Sequence, residues 1–112
     1  MKAVYELIER ILPGYGKNFE LELKEDDSEY YEIDTKDNKI LLCGTTVNSL
    51  CAAFGYYVKY VLNLSFTWCG VNREFDGLIM PEYIKHIIEQ KYRVYMNYCT
   101  HSYSAAWWDW QR

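Results

Sequence analysis

Apolar positions near the start of the chain recur with the period of an α-helix. Between residues 3 and 12 they stand at Val4, Leu7, Ile8, Ile11 and Leu12. This spacing predicts a helix with one buried face, which Pro13 and Gly14 would end. A second helical pattern follows Gly44 and is expected to run from a threonine cap at Thr45 or Thr46 to about residue 62. Its apolar positions are Val47, Leu50, Cys51, Phe54, Val58, Val61 and Leu62.

The stretches between these helices have the patterns of β-strands. Residues 19–24 and 30–34 alternate between apolar and polar, which predicts half-buried strands. Their inward positions would be Phe19, Leu21, Leu23, Tyr31 and Ile33. Residues 39–43 are nearly all apolar, which favours a more central strand. A fourth strand is predicted at residues 64–68, and residues 84–88 form a further short extended piece.

The order of these elements predicts an α+β fold. A small, mainly antiparallel four-stranded sheet would carry two helices on one face. Gly55 inside the second helix costs about 1 kcal/mol relative to alanine, so we expect it to permit close packing on the sheet. The acidic turn at residues 25–29 is interpreted as a solvated tip rather than a metal site.

Composition narrows the possible functions. The net charge is −4 and there is no basic patch, which argues against nucleic-acid binding. No apolar run approaches the roughly 20 residues of a membrane helix, so no membrane partner is expected. Residues 1–2 lead directly into the first helix, with no recognisable signal peptide. The four cysteines and two histidines lack the clustering of a zinc site, so we expect free thiols and no cofactor.

The last part of the chain departs from this small-domain pattern. Residues 92–99 alternate like a strand, with Arg93, Tyr95, Asn97 and Cys99 on one side. A polar break follows, and then a segment of helical character with tryptophans at 107, 108 and 110. A helix that ends at full apolar density without a glycine cap predicts that the chain is the front of a longer protein.

Residues 93–110 resemble the opening of the catalytic barrel in the α-N-acetylglucosaminidase family, glycoside hydrolase family 89. The similar positions are Arg93, Tyr95, Asn97, Cys99, Thr100, Ser102, Tyr103, Ser104, Trp107, Trp108, Asp109 and Trp110. Upstream, the order of elements resembles that family's N-terminal domain. The resemblance implies an α+β domain at 1–70, a connection at 71–90, and at 91–112 the first strand and helix start of a truncated (β/α)8 barrel.

The resemblance also implies a site. Asn97 and Cys99 would line the pocket for a terminal N-acetylglucosamine, whereas Tyr103 could either shape that pocket or pack. At least two of the three tryptophans would anchor the barrel helix. Arg93 would point into the barrel and require an acidic partner, which we expect on a later strand.

The family is described as retaining, with two glutamates from later barrel strands. Retaining glycosidases need two carboxylates about 5 Å apart, and no position here matches either glutamate. The isolated chain is therefore predicted to be inactive. The implied partners are a glycan with terminal N-acetylglucosamine and the remainder of the barrel, and family members are lysosomal or exported. The alternatives are a stand-alone carbohydrate-binding module that stacks sugars on the C-terminal aromatic rings, and, for residues 1–70, a non-binding spacer.

Overall fold

The computed structural model describes residues 1–67, 70–72 and 74–94. Within them the helices are α1 (Lys2–Ile11) and α2 (Val47–Tyr56), with a 3-10 turn at Gly16–Asn18 and a π-helical turn at Tyr57–Val61. The strands are β1 (Phe19–Leu23), β2 (Tyr30–Lys36), β3 (Lys39–Gly44), β4 (Phe66–Thr67), β5 (Gly70–Val71) and β6 (Ile84–Ile87). The α+β class and the two predicted helices are thus confirmed. None of the described helices is long and apolar enough to cross a membrane.

Four strands form the main sheet in the order β1-β3-β2-β6. Strand β1 runs parallel to β3, while β2 runs antiparallel to both β3 and β6, so the sheet is mixed. The tight turn between β2 and β3 places Asp37 and Asn38 at φ of 50° and 60°. Asp and Asn tolerate this left-handed conformation, which two-residue hairpin turns require. As the sequence predicted, β3 lies inside the sheet.

The position of the fourth strand was predicted wrongly. Of residues 64–67, the described part of the predicted strand, only Phe66–Thr67 is extended, and it pairs with Gly70–Val71 in a separate two-stranded sheet. Leu64 is buried because it follows the helix into the core, where its amide donates to the carbonyl of Val58 at 3.0 Å. The fourth strand of the main sheet is β6, so the sheet draws on residues 84–87, beyond the expected limit of residue 70.

Both helices and one face of the main sheet share a single apolar core. It contains Val4, Ile8, Leu12, Phe19, Leu21, Tyr31, Ile33, Ile40, Leu42, Leu50, Ala53, Phe54, Tyr57, Val58, Leu62 and Leu64. Most of the predicted inward positions are therefore confirmed. Leu23 is a wrong prediction because it stands opposite Gly44, which offers no side chain to cover it, and it remains 47% exposed. Val47, at the first turn of α2, is likewise exposed.

The start of α2 depends on a reciprocal pair of hydrogen bonds. The amide of Ser49 donates to Thr46 Oγ1 at 3.0 Å, and the amide of Thr46 donates to Ser49 Oγ at 2.9 Å. This arrangement satisfies donors that a helix N-terminus otherwise leaves unpaired, and it confirms the predicted threonine cap. The cap packs over Gly44, where an added Cβ atom would overlap Ser49 Oγ and lie 3.1 Å from the Leu50 amide nitrogen.

The environment of Gly55 differs from the expectation. A Cβ atom added there would meet no atom within 4 Å, apart from the helix's own nearby backbone. The prediction that Gly55 is needed for close packing on the sheet is therefore wrong. Ala53, two residues earlier, is fully buried in the core.

Candidate functional site

The residues predicted to contact sugar, Asn97, Cys99 and Tyr103, lie outside the described residues, as do the three C-terminal tryptophans. The described chain ends at Val94, three residues before Asn97. The structure therefore shows how the protein holds the segment that leads to these residues. Two groups of charged side chains in this part of the molecule have well-defined partners.

The first group, which we name the Glu29 junction, consists of Glu29, Thr46, Gln90 and Arg93. The Glu29 carboxylate accepts hydrogen bonds from both terminal nitrogens of Arg93, with Nη1 to Oε1 at 3.2 Å, and from Thr46 Oγ1 at 3.0 Å. The same guanidinium donates to the carbonyl of Gln90 at 3.2 Å. The backbone carbonyl of Glu29 accepts from the amide of Ile88 at 2.8 Å. One residue thus joins the start of β2, the cap of α2 and the segment after β6.

The electrostatics of the junction favour an ionised carboxylate. Arg93, together with the Thr46 hydroxyl, holds the pKa of Glu29 below its ordinary value, and Glu29 in turn raises the pKa of Arg93. The N-terminus of α2 adds a favourable partial positive charge near the same carboxylate. The side chains of Glu29 and Arg93 are 25% and 44% exposed. Solvent therefore screens the pair, which adds little to the free energy of unfolding.

This geometry corrects two expectations. The acidic partner of Arg93 was predicted on a later barrel strand, but the partner in this structure is Glu29, and that prediction is wrong. Glu29 was interpreted as one charge of a solvated acidic turn. That interpretation holds for Asp26 and Asp27, which are exposed, but not for the half-buried Glu29. Glu29 directly precedes the apolar pattern of β2. This position in the sequence could have indicated that its carboxylate has a partner within the fold.

A groove of about 470 Å³ lies beside the junction, between α2 and β6. It is lined by Tyr31, Asn48, Ala52, His86, Ile88, Gln90 and Arg93. The rings of Tyr31 and His86 stack with their centroids 5.3 Å apart. Tyr31 is only 5% exposed, and this burial raises the pKa of its hydroxyl. The groove therefore offers an imidazole and amides at its surface rather than an open aromatic platform.

The second charged group surrounds Glu32 on the sheet face opposite the helices. Lys24 Nζ lies 2.6 Å from Glu32 Oε2, while Lys85 Nζ and the Tyr83 hydroxyl lie 3.4 Å and 2.9 Å from Oε1. Lys85 also stacks over the ring of Tyr30, 4.1 Å from its centroid. The hydrogen bond from Lys24 lowers the pKa of Glu32 despite its burial. This arrangement is that of a structural ion pair on a strand.

Neither carboxylate has the chemistry of a glycosidase acid. A general acid needs a pKa raised above its ordinary value, as an apolar site provides. The pKa values of Glu29 and Glu32 are instead both lowered, by the side-chain hydrogen bonds from Arg93 and Lys24 respectively. Among residues 1–67, 70–72 and 74–94 there is also no cluster of three side chains that could hold a metal ion.

Burial disfavours ionisation of both thiols in the described part of the chain. Cys43 and Cys51 are both free, Cys43 being buried and Cys51 half-buried. Burial raises the pKa of Cys43 to about 11. Because the thiolate is the reactive form, a thiol of this pKa remains protonated near neutral pH.

Comparison with known proteins identifies close relatives of this fold. Residues 2–81 match the family described as Alpha-N-acetylglucosaminidase (NAGLU) N-terminal domain. Human alpha-N-acetylglucosaminidase is 26% identical over 119 aligned residues, which cover 98% of this chain and 16% of the human protein. A family 89 glycoside hydrolase from Clostridium perfringens in complex with PUGNAc superposes with a TM-score of 0.86 at 25% identity. That match covers 98% of this chain and 13% of the bacterial chain.

Two further structures of the Clostridium perfringens family 89 hydrolase are similar to the same extent. One carries glutamine in place of two glutamates and is bound to its substrate GlcNAc-alpha-1,4-galactose, with a TM-score of 0.86 and 25% identity. The other is bound to 2-acetamido-1,2-dideoxynojirmycin, with a TM-score of 0.85 and 26% identity. Each match covers 98% of this chain and 13% of the bacterial chain, so the present chain spans about one-eighth of these relatives.

Proposed function

This chain belongs to the alpha-N-acetylglucosaminidase N-terminal domain family, and on that premise we propose that it is the N-terminal part of a glycoside hydrolase. The enzyme removes terminal α-linked N-acetylglucosamine from glycans. The observation that carries this proposal is the family match over residues 2–81. The partners of this chain are the glycan and the remainder of the barrel. Nucleic acids and membranes are not among its partners.

Within this proposal, the chain divides into a supporting domain and the beginning of the barrel. Residues 91–112 form the first strand and helix start of a (β/α)8 barrel. Active sites of such barrels lie at the C-terminal ends of the strands. Asn97 and Cys99, at that end of the first strand, contact the terminal sugar, and Tyr103 borders the pocket. The alternation of residues 92–99 supports this assignment, since it places Asn97 and Cys99 on one side.

The chemistry is a retaining, two-carboxylate mechanism in which both glutamates come from later barrel strands. One carboxylate attacks the anomeric carbon, and the other protonates the leaving oxygen and then activates water. The lowered pKa values of Glu29 and Glu32 support this division, because neither residue suits the role of the acid. The isolated chain therefore performs no hydrolysis.

Binding of 2-acetamido-1,2-dideoxynojirmycin, measured by isothermal titration calorimetry, tests the proposal. The full-length protein encoded by the gene is expected to bind this sugar analogue, and the Asn97→Ala variant to bind it more weakly. The 112-residue chain alone is expected to give no saturable signal. Saturable binding by the chain alone would instead favour a stand-alone carbohydrate-binding module, and no binding by the full-length protein would refute the proposal.

A further inference from the structure

The Glu29 junction ties the segment that leads toward Asn97 to the body of the domain. We propose that the Glu29–Arg93 ion pair is a positioning device, which sets the direction in which the chain enters the barrel and thereby places Asn97 and Cys99 in the sugar pocket. This inference rests on the proposed function. It concerns two residues that do not themselves contact the substrate.

The contacts hold the segment after β6 at two points. The backbone bond from Ile88 to the carbonyl of Glu29 holds its beginning, and the two bonds from Arg93 to the carboxylate hold its end. The carboxylate is itself held by Thr46, the capping residue of α2. Residues 88–93 are therefore held against Glu29, which directly precedes β2, and through its carboxylate against the cap of α2.

The guanidinium also fixes an orientation and not only a distance. Arginine and a carboxylate form two parallel hydrogen bonds in one plane, whereas lysine would act as a point charge. The hydrogen bond from Arg93 to the carbonyl of Gln90 further restricts the arginine side chain. The bidentate pair thus constrains the course of the chain at residue 93.

Asn97 follows Arg93 by four residues. An extended chain spans at most about 3.3–3.6 Å per residue, so the two Cα atoms are separated by no more than about 14 Å. A displacement of Arg93 would therefore shift the point from which the chain reaches Asn97 and Cys99. Because solvent screens this pair, its main consequence would be placement rather than stability.

Steady-state kinetics of the full-length protein with an aryl α-N-acetylglucosaminide separate placement from stability. The Glu29→Gln and Arg93→Met variants are expected to raise KM about fivefold, the factor equivalent to about 1 kcal/mol, with kcat changed less than twofold. Loss of folded protein alone would lower the apparent kcat and leave KM unchanged. Arg93→Lys should recover less than half of the effect, since it cannot form the bidentate pair.

The matched control is Glu89→Gln, which removes an exposed carboxylate from the same segment. It is expected to leave KM and kcat at the wild-type values. The inference is overturned if the unaltered protein is active while Glu29→Gln and Arg93→Met keep its KM. If the unaltered protein releases no N-acetylglucosamine, the proposed function fails, and the inference fails with it.

A measurement on the 112-residue chain checks the pair independently of activity. In an NMR titration, the pKa of the Glu29 carboxyl is expected to rise in Arg93→Met relative to the unaltered chain. It should stay unchanged in Lys91→Met, a nearby cation that does not contact Glu29. An identical Glu29 titration in all three proteins would overturn the inference, whatever the enzyme kinetics show.

Discussion

Replacing Gly55 with alanine removes the most flexible residue type from α2 without adding a steric clash. A Cβ atom at residue 55 meets nothing within 4 Å beyond the neighbouring helix backbone. Alanine is favoured over glycine inside a helix by about 0.8–1 kcal/mol, so Gly55→Ala should stabilise the fold by about that amount. For a chain of this size, the gain corresponds to a rise in Tm of about 4 °C.

Gly44→Ala provides the contrasting substitution with the same chemical change. Its Cβ atom would overlap Ser49 Oγ and lie 3.1 Å from the amide nitrogen of Leu50, at the capped start of α2. Overpacking of this kind costs about 1–3 kcal/mol. Gly44→Ala should therefore lower the Tm, while Gly55→Ala raises it.

The assay is unfolding by heat and by urea, followed by far-ultraviolet circular dichroism. The slope of the urea transition should stay constant, so that a shift in its midpoint reports stability alone. Destabilisation by Gly55→Ala would refute the reasoning, because it would mean that α2 packs more closely at residue 55 than the structure shows. A neutral Gly44→Ala would equally contradict the tight packing of the cap.

Three further predictions concern side chains with defined partners. Because Lys24 lowers the pKa of Glu32, their interaction contributes stability above the unfolded-state pKa of about 4.3, and this contribution is lost as the pH falls through the lower folded-state pKa. Glu32→Gln should therefore flatten the dependence of stability on pH, measured by urea unfolding between about pH 2 and 7. An unchanged pH dependence of stability in Glu32→Gln would contradict this prediction. The hydroxyl of the fully buried Tyr57 donates a hydrogen bond to the carbonyl of Ile79 at 2.9 Å, and Tyr57→Phe should lower the free energy of unfolding by about 1 kcal/mol, measured by thermal unfolding. An unchanged Tm would show that this hydrogen bond does not stabilise the fold. Thr46→Ala should lower the free energy of unfolding by about 1 kcal/mol in the same thermal assay, and Thr46→Ser should recover most of this loss. Equal losses of stability in the two variants would exclude the Thr46 hydroxyl as the cap.

Local periodicity was sufficient to predict α1, the first three strands and α2. These elements have clear apolar faces, and the core uses those faces nearly as the patterns indicate. The prediction that residues 84–88 are extended is confirmed by β6, but its place in the main sheet was not predicted, because it depends on backbone pairing with β2, more than 50 positions earlier in the chain. A short strand at the edge of a sheet has no strong pattern of its own, since much of it stays exposed.

The charged contacts depended on the tertiary structure in the same way. Glu29 looks like one more acidic residue in a turn, and only the fold brings Arg93 and the α2 cap to its carboxylate. Tyr57 was missed because the helical pattern was assigned to aliphatic neighbours, although its ring is fully buried. The predicted sugar contacts, Asn97, Cys99 and Tyr103, lie outside the described residues and remain predictions.

The most direct test of the central claim is the release of N-acetylglucosamine from an aryl α-N-acetylglucosaminide. The full-length protein and the 112-residue chain should be assayed side by side, with the β-linked glycoside as the control substrate. We predict turnover of the α-linked substrate by the full-length protein alone. Turnover by the isolated chain, or failure of the full-length protein to cleave the α-linkage, would contradict the account.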